Sequence, residues 1–276
     1  MSILEAVVLG IVQGLTEFIP VSSSGHLILT RWLFGWDGGT ASATKAFDVA
    51  VHVGTLVGAT IYLRADLVRL ARGALRGLRS PAGERSPDQR LPWLLAVATV
   101  PAVITGALLE STITDRLGAP WLVGLMLIVG ASFLFVADRL AERRNIEDLG
   151  LRDALLIGAA QAAALQPGVS RSGATLTAAR ALGYDRDGAA RLSFLMSMPL
   201  IAGAAGYELL KLRGADSLPA GFATTLAVGV TSAAVTSLLA VWLVLNIVRR
   251  RSFLPFVVYR LIAGLAVLAI AGLGWR

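Results

Sequence analysis

From position 222 to 248 the chain runs without one charged side chain. About 20 apolar residues carry a helix across the hydrocarbon of a bilayer, and this run is longer than that. Comparable apolar runs, with at most one charge each, lie at 92–109, 121–137, 192–210 and 254–274, and a marginal one at 47–63 is interrupted by Asp48 and His52. Composition agrees: 55% of residues are hydrophobic, 16% are charged, and the mean hydropathy is +0.70, well outside the soluble norm. The fold class that follows is an all-α integral membrane protein with one membrane domain over 1–276. A nucleic-acid partner is not expected, because that needs a basic face interleaved with aromatics on a soluble fold. With no cysteine there is neither a disulfide nor a thiolate metal site. The N-terminus does not read as a signal peptide: it lacks a basic n-region and runs from Glu5 into Gln13 and Glu17 without a cleavage site.

The net charge of +7 is mostly arginine, and in such a chain it reports topology. Segment 64–90 holds Arg64, Arg69, Arg72, Arg76, Arg79, Arg85 and Arg90 against Asp66, Glu84 and Asp88, which makes it cytoplasmic. Pro81 and Pro87 predict a flexible turn at its centre. Arg139, Arg143 and Arg144 return the chain to the same side, as do Arg186 with Arg191, and Arg249 with Arg250 and Arg251. The connections 110–120 (Glu110, Asp115, Arg116) and 211–221 then lie outside. So does the loop 35–45 with Asp37, beside Trp32 and Trp36 as interfacial anchors.

Two stretches are apolar but only half a membrane long. The first predicts half-helices at 3–19 and 25–34 around a polar turn, Pro20-Val21-Ser22-Ser23-Ser24-Gly25. The second predicts a helix at 153–166, the turn Pro167-Gly168-Val169-Ser170-Arg171-Ser172-Gly173, and a half-helix at 174–182. Shifting the sequence by 148 residues lays 5–25 on 153–173 without a gap, matching Gly10, Gln13, Ser22, Ser24 and Gly25 to Gly158, Gln161, Ser170, Ser172 and Gly173. Each half, 1–144 and 145–276, then holds one re-entrant helix pair and three spans. Three is odd, so the pairs enter from opposite sides: an inverted-topology repeat whose turns meet near the midplane. Gly58 and Tyr62 echo Gly203 and Tyr207 at a shift of 145.

The mismatches between the copies carry chemistry. Ser23 is replaced by Arg171, Glu17 by Leu165 and His26 by Ala174. Gln13 and Glu17 are four apart and share a helix face. Intramembrane charge is costly unless it is paired or hydrated, which marks Glu17 and Arg171 as functional. Ser22, Ser24, Ser170 and Ser172 with glycine-freed amides make anion cradles at helix N-termini, or else satisfy freed backbone groups. Arg171 is a forked donor for phosphate oxygens, and His26 is a nucleophile or proton donor. Glu17, with Gln13, is a ligand for a hard divalent cation or a group that orients His26. Asp48 and His52 share a face in a supporting or pore-lining role, and Gln161 and Gln166 are structural. These are parts for phosphoryl transfer. Broken helices in an inverted repeat are equally typical of secondary transporters, so an anion or lipid transporter is the competing reading.

Gln13-x-x-x-Glu17, Pro20-Val21-Ser22-Ser23-Ser24-Gly25-His26 and Pro167-Gly168-x-Ser170-Arg171-Ser172-x-x-Thr175 resemble the motifs of the undecaprenyl-pyrophosphate phosphatase (bacitracin-resistance) family, in placement as well as composition. The resemblance implies an enzyme of the bacterial plasma membrane that converts undecaprenyl pyrophosphate to undecaprenyl phosphate, the carrier lipid for peptidoglycan and other envelope polymers. It further implies a divalent cation (Mg2+ or Ca2+), a site open to the periplasmic or outer face, and a homodimer. By position, Glu17, Ser23 and His26 become catalytic residues. Ser22, Ser24, Ser170, Arg171, Ser172 and Thr175 become diphosphate binders, and Glu17 with Gln13 the metal ligands. The family often has Glu where this chain has Gln13. Ser23 and His26 both stand as the nucleophile at this point.

Overall fold

The computed structural model describes residues 1–36, 39–212 and 221–274, and among them the chain is helical with no β-strand. Helix α1 (Ile3–Phe18) opens on a capping box in which Ser2 and Glu5 each accept the other's backbone N–H. It stops short of Pro20, and α2 (Ser23–Phe34) begins two residues earlier than the apolar pattern implies because Ser22 caps it. Gly35, in the left-handed region at φ 65°, ends α2.

Helix α3 (Ala41–Tyr62) is longer than the predicted span and turns by 83° into α4 (Arg64–Gly77). The arginine-rich segment is therefore not a loop throughout. Its first half is a helix whose Leu67 and Leu70 pack on the main core. Pro87 is no part of a flexible turn either: it occupies the first position of α5 (Pro87–Arg116), where its missing N–H costs nothing. Helix α5 also runs through the predicted outer connection to Arg116, since no breaker precedes Gly118 and Pro120. Helix α6 (Pro120–Asp138) follows, then α7 (Leu151–Ala163) and α8 (Arg171–Ala181), the second half-length pair. Helices α9 (Arg186–Leu212), α10 (Phe222–Val248) and α11 (Leu254–Gly272) complete the chain. Most of the predicted connection 211–221, like Asp37, lies outside the described residues.

Five helices, α5, α6, α9, α10 and α11, are long and apolar enough to cross a bilayer, and the bent pair α3–α4 brings the total to as many as six. The chain is an all-α integral membrane protein. Lipid gives helices no hydrophobic reason to associate, so close approach through small residues holds them together. Helix α1 lies against α10, where a Cβ on Gly10 would stand 2.6 Å from the carbonyl oxygen of Gly229. Helix α7 lies against α5 in the same way, Gly158 against the carbonyl of Ala98. Helix α6 meets α11 at Gly124 and Gly264.

Ion pairs gather the arginine-bearing segments at one end of the molecule. Arg191 binds Asp66 at 2.7 Å and Asp187 at 2.9 Å, and Arg249 binds Asp187 at 2.8 Å. Arg186 binds Asp138 at 2.6 Å, and Arg144 binds Asp153 at 2.5 Å. The Tyr184 hydroxyl, whose pKa is raised by burial and by its own bond to Asp153, also ends there. Segments assigned to one side by charge thus meet in space. A cysteine placed at Ser80 should resist an impermeant thiol reagent applied outside intact cells, and one at Gly118 should react. The opposite pattern would invert the topology.

Candidate active site

The site begins with a carboxylate that α1 carries into the protein interior. Glu17 is 5% exposed and Gln13, one turn earlier, is fully buried. Gln13 Nε2 donates to Glu17 Oε2 at 2.7 Å, and its own Oε1 is buried without a partner among the described residues. The chain then reverses at Pro20 and α2 starts at Ser23, whose hydroxyl donates to Glu17 Oε2 at 2.6 Å. From the second turn, at the start of α8, the Arg171 guanidinium binds Glu17 Oε1. His52 completes the ring from α3, with Nε2 3.7 Å from Glu17 Oε2. Its Nδ1 lies 2.7 Å from the carbonyl of Asp48, and since a carbonyl only accepts, Nδ1 carries the proton. One carboxylate therefore holds an amide, a hydroxyl and a guanidinium, with an imidazole beside it.

The two turns are built alike. Ser22 and Ser170 cap α2 and α8 at φ 78° and 75°, the two non-glycine residues with positive φ among the described residues. That conformation is strained for an L-residue and persists only where its surroundings enforce it. Ser170 Oγ accepts the N–H of Gly173 at 3.1 Å, while Ser22 Oγ accepts those of Gly25 at 3.4 Å and of Gly168, in the opposite turn, at 3.0 Å. Ser172 Oγ returns the cross-link to the Ile19 carbonyl at 3.2 Å. The helix N-termini that bracket the Glu17–Arg171 pair are thus tied to each other.

The family model of "Bacitracin resistance protein BacA" matches residues 6–266. The chain belongs to the BacA family. Its relatives include a Geobacter sulfurreducens protein, 47% identical over 98% of each chain, and one from Desulforudis audaxviator, 43% identical over 97% of each. A Nocardioides protein is 42% identical over 98% of this chain and 97% of its own. All three are named undecaprenyl-diphosphatase.

In this BacA-family chain the residues expected at the site divide into those that meet and those that do not. Gln13, Glu17, Ser23 and Arg171 meet. His26 turns away: its Nδ1 donates to the Ser22 carbonyl at 2.7 Å, which in the neutral ring leaves Nε2 to accept the Tyr259 hydroxyl at 2.7 Å, and the rings stack at 5.6 Å. Ser24 is exposed at the tip of its turn. Thr175, 1% exposed, points into the protein and donates to Ser193 Oγ at 2.7 Å. Asp48 pairs with Arg31, so its helix presents His52 to the site with the carboxylate already neutralised. Gln161, the counterpart of Gln13, is buried with neither amide atom partnered among the described residues, and Gln166 donates to the Leu117 carbonyl at 3.2 Å.

Sequence reasoning missed Arg260. It is fully buried in α11, and its Nη2 donates to the carbonyls of Gly168 at 3.0 Å, Val169 at 2.9 Å and Met126 at 3.3 Å. Nη1 reaches the Pro20 carbonyl at 3.2 Å and Nε that of Leu127 at 3.1 Å. One guanidinium thus joins both turns to α6, in space left open by Gly173, where a Cβ would lie 2.6 Å from Nη1. The signal was present: a lone arginine inside the apolar run 254–274 is an intramembrane charge, functional by default. It carries no motif, and its partners are carbonyls that no sequence pattern reveals.

Arg260→Met should keep the volume but leave buried carbonyls unpaired, destabilising the protein by about 3 kcal/mol or more. Arg260→Lys should recover only part of that, since three donors on a point charge cannot reproduce the fork. Thermal unfolding in detergent measures both, and a Met variant as stable as the parent would dismiss the clamp.

Proposed function

We propose that this chain is an undecaprenyl-diphosphate phosphatase of the plasma membrane that works through Ser23. The observation that carries the reading is the single carboxylate of Glu17 held by Ser23 from one turn and Arg171 from the other. The names of relatives matched over almost the whole chain supply the substrate. A transporter has no use for a nucleophile paired with a base opposite a lone guanidinium, and the family favours the hydrolase.

The diphosphate head group sits between the N-termini of α2 and α8, whose amides and dipoles attract anions. Arg171 binds its oxygens while remaining tethered by Glu17. Glu17 takes the Ser23 proton as Ser23 Oγ attacks the terminal phosphorus. The bond from that phosphorus to the bridging oxygen breaks, undecaprenyl phosphate leaves, and water hydrolyses the phosphoserine to inorganic phosphate. Ser23 is preferred to His26 because its hydroxyl already donates to a carboxylate, whereas the His26 nitrogens are engaged by Ser22 and Tyr259.

A divalent cation fits this site. Glu17 and the unpartnered Oε1 of Gln13 are oxygen donors of the type Mg2+ or Ca2+ takes. Among the described residues no cluster of three or more His, Cys, Asp or Glu side chains could cage an ion, so diphosphate oxygens and water would supply most of the shell. Bound there, the ion would neutralise charge on the diphosphate oxygens.

We also read the halves 1–144 and 145–276 as inverted repeats within one domain. The matched serine caps and the matched packing of Gly10 on α10 and Gly158 on α5 support this. In that arrangement the site opens to the outer face, and the homodimer implied by the family resemblance remains part of the proposal.

Purified protein in detergent should release phosphate from undecaprenyl pyrophosphate. Ser23→Ala and Glu17→Gln should each lower kcat by about 100-fold or more with folding intact. Arg171→Ala should raise KM and lower kcat, and Arg171→Lys should rescue in part. Rapid quench with labelled substrate should trap an acid-stable, base-labile phosphoester. An acid-labile adduct would move the nucleophile to His26, and no adduct in a demonstrated single turnover would favour direct attack by water.

Chelation should abolish turnover, and Gln13→Glu should tighten the apparent affinity for the cation. Full activity in excess chelator would remove the ion from the mechanism.

A further inference from the structure

Helix α4 is the most polarised element of the chain. Gly73 and Gly77 bring its inner side hard against the start of α5, where a Cβ on Gly77 would stand 3.1 Å from the Gln89 carbonyl oxygen. Leu67 and Leu70 continue that side into the core. At 3.6 residues per turn the exposed remainder divides into two strips. Val68, Ala71 and Leu75, continued by the C-cap Leu78, form an apolar strip, with Val68, Leu75 and Leu78 respectively 46%, 65% and 66% exposed. Arg69, Arg72 and Arg76 form a basic strip beside it, continued by Arg79 just past the helix end, all exposed. Arg69 has an acidic partner, Asp88 at 3.0 Å, but among the described residues none pairs with Arg72, Arg76 or Arg79.

Two further observations fix the setting. The 83° bend after α3 turns α4 away from the direction of the preceding helix. The Asp66–Arg191 pair joins the start of α4 to the end where the other arginine segments collect. A helix running along that end, apolar on one exposed strip and basic on the next, has the composition of an interfacial helix. Its apolar strip is exposed but too narrow to span anything, and its arginines have long stems that reach sideways to a phosphate layer.

We infer that α4 lies in the lipid–water interface at the arginine-rich end and binds the head groups of anionic phospholipids. Val68, Leu75 and Leu78 enter the top of the acyl region while Arg72, Arg76 and Arg79 engage lipid phosphates. The occupant is a membrane surface because both strips are used at once: a soluble anion would satisfy the arginines and leave the apolar strip in water. Because α4 is clamped to α5 through two glycines, the contact also sets how deep this end of the molecule sits.

The chain has no cysteine, so Leu75→Cys and Arg72→Cys each give a single site for an environment-sensitive fluorophore. The full-length protein is reconstituted in phosphatidylcholine vesicles with and without phosphatidylglycerol. Label at position 75 should be quenched by lipids brominated high in the acyl chain, and label at 72 should be quenched by aqueous iodide instead. Equal access of iodide to both labels, with no bromolipid quenching, overturns the proposal. So does quenching that follows the protein-to-lipid ratio alone, which would assign the face to a second copy. Independently, Arg72→Gln with Arg76→Gln should reduce retention of phosphatidylglycerol over phosphatidylcholine through detergent purification by up to roughly five-fold per arginine, with phosphate release in detergent unchanged as the check on folding. Unchanged lipid retention in that active variant refutes the role of the arginines.

Discussion

The Arg260 guanidinium is the interaction on which this architecture depends. Two chain reversals packed among apolar helices expose backbone carbonyls that need donors from the protein itself. Arg260 answers both reversals with one side chain, donating to Pro20 from the first and to Gly168 and Val169 from the second. It reaches them from α11 while bonding the backbone of α6, so the relative position of the two turns is set by a helix pair remote from either in sequence. The serine caps then need no further support: Ser22 bonds Gly168 and Ser172 bonds Ile19 because the turns are already held face to face.

That placement is what lets Glu17 be buried. A lone carboxylate at this depth would be driven to its neutral form, whereas Arg171 supplies the countercharge and Ser23 and Gln13 supply donors. The same donors are the groups that the proposed mechanism uses. A hydroxyl bonded to a carboxylate is poised to lose its proton, and a guanidinium tethered on one side keeps other N–H groups for phosphate oxygens. Stability and reactivity at this site are thus one set of contacts.

The sequence made the helices and the chemical pair legible for different reasons. Apolar run length located every span, because the bilayer imposes it directly. The 148-residue echo brought Ser22 and Ser170 together as equivalents, and both adopt the same strained cap. Boundaries failed where charge was taken for loop: α4, the first turn of α5 and the last turns before Arg116 are helical despite their polarity, since arginine and glutamate are good helix formers outside the hydrocarbon. The partners of individual side chains were not legible. His26 follows Ser23 by three residues yet bonds Tyr259, and His52, weighed as a supporting residue, stands beside Glu17. Such pairings are set by how α3 and α11 pack, and packing leaves no periodic trace in the chain.

The two turns share their caps and differ beside them. Each has serine at the cap and glycine three residues on, and the cap hydroxyl accepts that glycine's N–H. The position after the cap is free of that duty, and there the copies diverge to Ser23 and Arg171. Two hydroxyls at that position would leave Glu17 without a countercharge, and two guanidiniums would leave the proposed mechanism without its nucleophile. One of each gives a centre in which Glu17 and Arg171 cancel, so it carries little net attraction for an anion. A diphosphate must then bring negative charge into a neutral setting flanked by helix N-termini worth only partial charges. The proposed cation would restore the balance at Gln13 Oε1, which lies beside Glu17 without a partner among the described residues. Neutrality at rest lets the pair be buried, and under the proposed mechanism it makes productive binding conditional on cation and diphosphate arriving together.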